Sequence, residues 1–151
     1  MASKRKLIRD DILTALRGID AGAGYNHTVK FVSDKHEQLG KLRQDQFPAV
    51  FVTYGGPETS EFATVDGSYI DATVRFMLFC YLKVERGRSE MDEADDLIED
   101  IKKALYADIF RGGSAESTLI ETVTVDSVSE FPYVSIDMGV KCQYSHVNTT
   151  P

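Results

Sequence analysis

The run Tyr69-Ile70-Asp71-Ala72-Thr73-Val74-Arg75-Phe76-Met77-Leu78-Phe79-Cys80-Tyr81-Leu82-Lys83 decides the fold. Its even positions, Ile70, Ala72, Val74, Phe76, Leu78, Cys80 and Leu82, are apolar or small throughout. A period of two gathers them on one face of a strand. The odd positions begin polar with Asp71, Thr73 and Arg75, then turn apolar with Met77, Phe79 and Tyr81. Strands buried on one face alternate, whereas strands buried on both do not. The far half of this strand therefore needs a second cover, from a helix of the same chain or from a neighbouring subunit.

Toward the N-terminus, Pro48 opens a strand over residues 49–54, built on Val50, Phe51 and Val52 and broken by Gly55-Gly56-Pro57. Residues 58–68 are polar and turn-rich, with an Asp66-Gly67 turn signal, and read as a long hairpin arm or loop between strands. Before these come a polar loop over 34–46, a short strand near 28–32 and a flexible connection over 20–24. The chain opens on a helix over 3–17, with Ile8, Ile12, Leu16 and Ile19 spaced by four and three, Ser3 as N-cap and Gly18 closing it.

Toward the C-terminus, Ser89 and Asp92 resemble a capping box. The helix they start places Met91, Ala94, Ile98, Ile101 and Leu105 on one stripe. Its acidic start and the later Lys102 and Lys103 match the helix dipole, and it ends near Asp108, before Arg111-Gly112-Gly113. Two strands follow, over 119–128 and 133–147, with Phe131-Pro132 in the hairpin turn between them. The second alternates, with Val134, Ile136, Met138, Val140, Cys142 and Tyr144 inward. The expected order is α-β-β-β-α-β-β: one α+β domain over 1–151, an antiparallel or mixed sheet with two main helices on one face.

Composition agrees with that reading. A chain of 151 residues buries about two-thirds of its unfolded surface around one core. No stretch approaches the roughly 18 apolar residues of a membrane span, and the opening Met-Ala-Ser-Lys-Arg-Lys leads into no apolar signal core, so an intracellular, soluble protein with no membrane partner is expected. A formal net charge of −7 opposes broad affinity for phosphate backbones. Lys4, Arg5, Lys6 and Arg9 read as a solvated helix start, although a basic tip touching DNA has the same composition. Cys80 and Cys142 fall inside apolar strand patterns as small core residues, with no disulfide framework. Without a secretory signal, the sequons at Asn26 and Asn148 read as chance matches.

The motifs of catalysis are missing from the local sequence. His27, His36 and His146 share no ligand spacing with carboxylates or thiols and read as surface residues. Neither cysteine has a neighbouring base. Asp92, Asp96 and Asp100 share a helix face at spacings of four and read as a solvated face rather than a cation site. Gly18, Gly22 and Gly24 follow a helix rather than a strand, so they are no dinucleotide fingerprint, and Gly40-Lys41 lacks the rest of a phosphate loop. No catalytic residue, cofactor or metal is expected.

Several segments, taken in order, resemble the tail terminator (tail completion) proteins of long-tailed bacteriophages. They are the amphipathic helix over 7–16, Phe47-Pro48-Ala49-Val50-Phe51-Val52, Ala72-Thr73-Val74-Arg75-Phe76-Met77-Leu78, the helix over 92–105, Asp108-Ile109-Phe110-Arg111-Gly112-Gly113, and a last strand ending in Gln143-Tyr144. The resemblance covers most of the chain and rests on pattern and order. It implies a virion protein that forms a hexameric ring on the finished tail tube, stops polymerisation and presents a joining surface to the head connector, with assembly in the host cytoplasm. The partners implied are copies of itself, the tail tube protein and the neck connector, and DNA passes through the lumen without specific binding. The expected contacts with tube or neighbour are the arm, at Glu58, Thr59, Glu61, Phe62 and Asp66, and the loop, at Lys41 and Arg43. Two other classes fit the same pattern: another neck or head-completion connector, and a small ligand-binding α+β module. An enzyme would need titratable groups converging in a cleft from distant segments.

Overall fold

The computed structural model describes residues 3–126 and 132–147. Helix α1, Lys4–Arg17, starts where the Ser3 hydroxyl accepts a hydrogen bond from the Lys6 amide and stops at Gly18. Ile8, Ile12 and Leu16, with Ile19 just beyond the helix, are all buried, so the stripe read from spacing is the packed one.

Strand β1, Phe31–Ser33, runs parallel to β2, Ala49–Tyr54. Strand β3, Thr59–Phe62, and the long β4, Tyr69–Lys83, form an antiparallel hairpin. After helix α2, Glu90–Tyr106, come β5, Ser117–Asp126, and β6, Tyr133–Val147. The sheet order is β1-β2-β4-β6-β5, with β3 continuing the β2 side of β4. It is a mixed sheet in an α+β fold, with β1 and β2 its parallel pair.

The expected arm is thus a strand in its own right, and the order becomes α-β-β-β-β-α-β-β. Its four residues are exposed, so they lack the apolar alternation by which a half-buried strand is recognised. β1 begins later than expected because Val29 is tied back to Ile19 and Lys30 to Pro48 through their amides. β5 begins two residues earlier than expected. The residues expected at its end and in the following turn, from 127 to Phe131, lie outside the described residues, as does the sequon at Asn148.

Both helices pack on one face of the sheet. Ile8, Ile12, Leu16, Leu97, Ile101 and Leu105 meet Val74, Phe76, Leu78 and Cys80 of β4, and Ile136, Met138 and Val140 of β6, in one core. Each side chain as large as Leu or Ile contributes roughly 1.5–3 kcal/mol when fully buried. The α2 stripe departs from expectation at Met91, which is 73% exposed, and at Leu97, which is fully buried. Met91 keeps the phase but lies in the first turn, and phase alone does not tell where the layer beneath a helix ends. Among the described residues, no helix is long and apolar enough to cross a membrane.

Candidate functional site

Among the described residues, both α-helices lie on the first face of the sheet and no α-helix packs on the second. On its apolar half, part of the cover comes from the 34–46 loop rather than from a helix, and Met77, Phe79 and Tyr81 remain half-buried. The His36 ring stacks on Phe79 with centroids 4.5 Å apart, and its Nε2 shares a 2.7 Å hydrogen bond with the Tyr81 hydroxyl. Phe51, opposite Phe79 in register, is fully buried beneath this group, with its ring 5.5 Å from that of His36. His36 is exposed, as expected of a surface histidine, and its inner ring face lies over these aromatic side chains. No single-residue signal marks it, because its partners lie about fifteen and more than forty positions away.

The same loop continues to the lower end of β4. The Gln44 side chain hydrogen-bonds the Tyr133 hydroxyl at 3.2 Å and also accepts from Lys83. Arg43 pairs with Asp45 at 3.4 Å, with both side chains about three-quarters exposed, so the pair contributes little to stability. Lys41 ends a short 3-10 turn, Leu39–Lys41, and is exposed.

The arm occupies the other end of β4. Its root is fixed: Glu58 accepts a 2.6 Å hydrogen bond from the Tyr144 hydroxyl and lies 3.6 Å from the Arg5 guanidinium. Arg5 in turn sits 4.7 Å over the Tyr54 ring. Burial, and then the bond to Glu58, push the Tyr144 phenol above its usual pKa. Thr59 accepts from Arg75 at 3.4 Å. Glu61 is exposed, and Phe62 projects with 73% of its surface in solvent. At the tip, Asp66 accepts from the Ser68 hydroxyl, the Ser68 amide and the Thr64 hydroxyl, and these bonds hold its carboxyl down at about 2.

The expected contact residues therefore form two groups. Glu58, Thr59, Glu61, Phe62 and Asp66 come together on the arm, with Glu58 as an anchor rather than a free contact. Lys41 and Arg43 lie with the loop at the opposite end of β4. Ten residues separate Thr73, opposite Thr59, from Lys83, a span of about 33 Å along an extended strand.

A cleft of about 350 Å³ opens between the 26–30 segment, the end of β4 and α2. His27 Nε2 lies 3.2 Å from Glu93 Oε2, and Arg88 Nη1 lies 3.1 Å from Glu93 Oε1. Beside it Asp100, 1% exposed, accepts 2.8 Å hydrogen bonds from the amides of Asn26 and His27. Asp100 is thus a buried latch and not part of a solvated acidic face, and His27 belongs to the same closure. The carboxylates of Glu93 and Asp100 are taken up by bonds within the chain, so the cleft joins the segment to α2. Among the described residues, no group of three or more His, Cys, Asp or Glu side chains converges to hold a metal ion.

Arg111 is the residue that sequence reasoning passed over most completely. Its guanidinium is buried, donates to the carbonyls of Leu105 and Asp108, and pairs with Asp11 of α1. It closes the end of α2, where orphan carbonyls favour a cation. The available signal was a basic residue just past a helix, followed by two glycines.

No protein-family model matches the chain, and no curated protein matches it. Among solved structures, one match is a chain described as part of the virion of a native gene transfer agent (GTA) particle. It is 11% identical with a TM-score of 0.43, over 89% of this chain and 92% of that one.

Proposed function

We propose that this chain is a tail terminator: a structural virion protein whose copies form a hexameric ring at the head-proximal end of a phage tail tube. The ring ends tube polymerisation and offers the surface to which the head connector joins. The observation that carries the reading is the arm, which is anchored at its root by Glu58 and presents Phe62 to solvent at its far end. A fixed, projecting apolar side chain on a polar strand suits docking to another subunit. The family resemblance of the ordered segments supplies the kind of partner. The arm and the Lys41/Arg43 loop lie at opposite ends of β4, an arrangement suited to meeting the tube at one end and the connector at the other. The outward acids of α2, Asp92, Asp95 and Glu99, suit a lumen that passes DNA without holding it. None of this work needs a catalytic residue or a cofactor.

Electron microscopy of tails made without the protein tests the reading. Tubes longer than normal are expected, and normal-length tails without heads would assign the chain to the connector instead. Labelled protein missing from the head-proximal end of purified tails would overturn both.

A further inference from the structure

The two outermost strands of the sheet differ from one another in a way that fits them together. The upper part of β5 is closed: the Ile120 amide donates to the Tyr106 hydroxyl at 3.0 Å, so α2 caps that part of the edge. Below the bulge at Glu121, β5 is exposed at every residue on both faces, with Val123 and Val125 at 37% and 42%. An uncovered strand edge of alternating Thr and Val, without Pro or Lys, is a template for pairing with another strand. On the opposite side, β1 is the terminal strand among the described residues.

The cross-strand registers place these two edges at the same height. One row runs Thr124, Asp137, Phe79, Phe51, Ser33. The next row, on the helix face, runs Val125, Ile136, Cys80, Val50, Val32. Polarity also fits, because β5 runs with β4 while β1 runs against it. Two copies side by side in the same orientation bring β5 of one against β1 of the next in the antiparallel sense, and Val125 then faces Val32. Charge does not oppose the pairing: Glu121, which already pairs with Arg75 at 3.5 Å, and Asp126 bound the bare stretch, and β1 is flanked by exposed Lys30 and Lys35. The arm is a poorer match, since Thr59 lies in the row of Ser117, beside the capped part of β5, and β3 carries Glu61.

We infer that the lower edge of β5 adds to β1 of a second copy of this chain, so that the sheet continues from subunit to subunit. This contact is head-to-tail and rests on the proposed ring; it assigns the ring's subunit interface to strand pairing and leaves the arm for the tube or connector.

The test is a Ser33→Cys/Thr124→Cys double variant, oxidised in purified tail particles and in concentrated solution. Residues facing each other in an antiparallel pair have Cβ atoms close enough for a disulfide. The native Cys80 and Cys142 are buried and remain silent. A covalent ladder reaching the copy number of the ring is expected, with loss of the ladder in either single-cysteine variant. Thr124→Lys should block assembly and Ser33→Glu on the same chain should restore it, while thermal unfolding of the monomer stays unchanged. Rings seen by microscopy without the cross-link would overturn strand pairing and leave the terminator reading standing. No oligomer in solution or on any tube would overturn both.

Discussion

The Arg111 guanidinium, buried to 1% exposure, lies 3.2 Å from the carboxylate of Asp11 and ties α1 to the end of α2. Two of its nitrogens have no hydrogen bond of good geometry within the chain, so the ion pair with Asp11 carries much of its compensation. Removing one partner of such a pair leaves an uncompensated charge. Arg111→Met is expected to lower stability by about 2–3 kcal/mol, below the full value for a buried pair because Asp11 is one-third exposed. Asp11→Ala is expected to cost a similar amount, and the double variant less than the sum. Urea unfolding of the three variants measures the coupling.

Acid acts on the arm through Asp66. Its carboxyl is lowered from 3.8 to about 2 by the hydroxyl and amide of Ser68 and the hydroxyl of Thr64. A depressed folded value means that the charged form contributes fully above about pH 4, and the contribution is lost as pH falls through about 2. The expected outcome is an Asp66 titration midpoint near 2 by NMR, with faster amide exchange at Ser68 below it. A midpoint near 3.8 would show that the tip turn is not held this way.

Two glycines face different obstacles. A Cβ on Gly139 would lie 2.5 Å from Thr122 Oγ1, and one on Gly55 would lie 2.8 Å from the carbonyl carbon of Phe76. Both Ala variants are expected to lose about 1–3 kcal/mol. Thr122→Ala should recover most of the loss at Gly139, because the obstacle there is a side chain. No side-chain change should rescue Gly55→Ala, where the obstacle is backbone. Thermal melts of the single and paired variants separate the two cases.

Phe62 separates assembly from folding. Phe62→Ser is expected to leave unfolding within about 0.5 kcal/mol of the parent, as for an exposed position away from caps and packing. The same variant should reduce the number of capped, head-bearing tails counted by microscopy. Normal capping with Phe62→Ser would remove the arm from the contact surface.

What could be read from sequence followed apolar periodicity. β4 and β6 are legible at their observed limits because each repeats its apolar residues every second position over a helix-covered face, and β2 because its continuous apolar run lies between Pro48 and Gly55-Gly56-Pro57. α1 was placed by Ile8, Ile12 and Leu16 together with the Ser3 cap. β3 escaped because an exposed strand has no such period. His36, Asp100 and Arg111 escaped because their roles depend on partners distant in sequence: an aromatic face, two loop amides, and a carboxylate a hundred positions earlier. A carboxylate at helical spacing looks solvated until the segment that folds over it is known, and Asp100 differs from Asp96 only in that respect. On the arm, residue type foretold exposure but not that Glu58 would be committed to Tyr144 and Arg5.

β4 pairs with β6 along its whole length, from Tyr69 opposite Val147 to Lys83 opposite Tyr133, while the arm joins it at one end and the loop at the other. A pull on the arm directed along the strand and resisted through β6 loads that ladder in shear, so its hydrogen bonds share the force. A pull across the sheet opens the bonds one at a time, like a zip. The β4–β6 ladder is therefore stiffer against a load along its strands than against one that peels them apart.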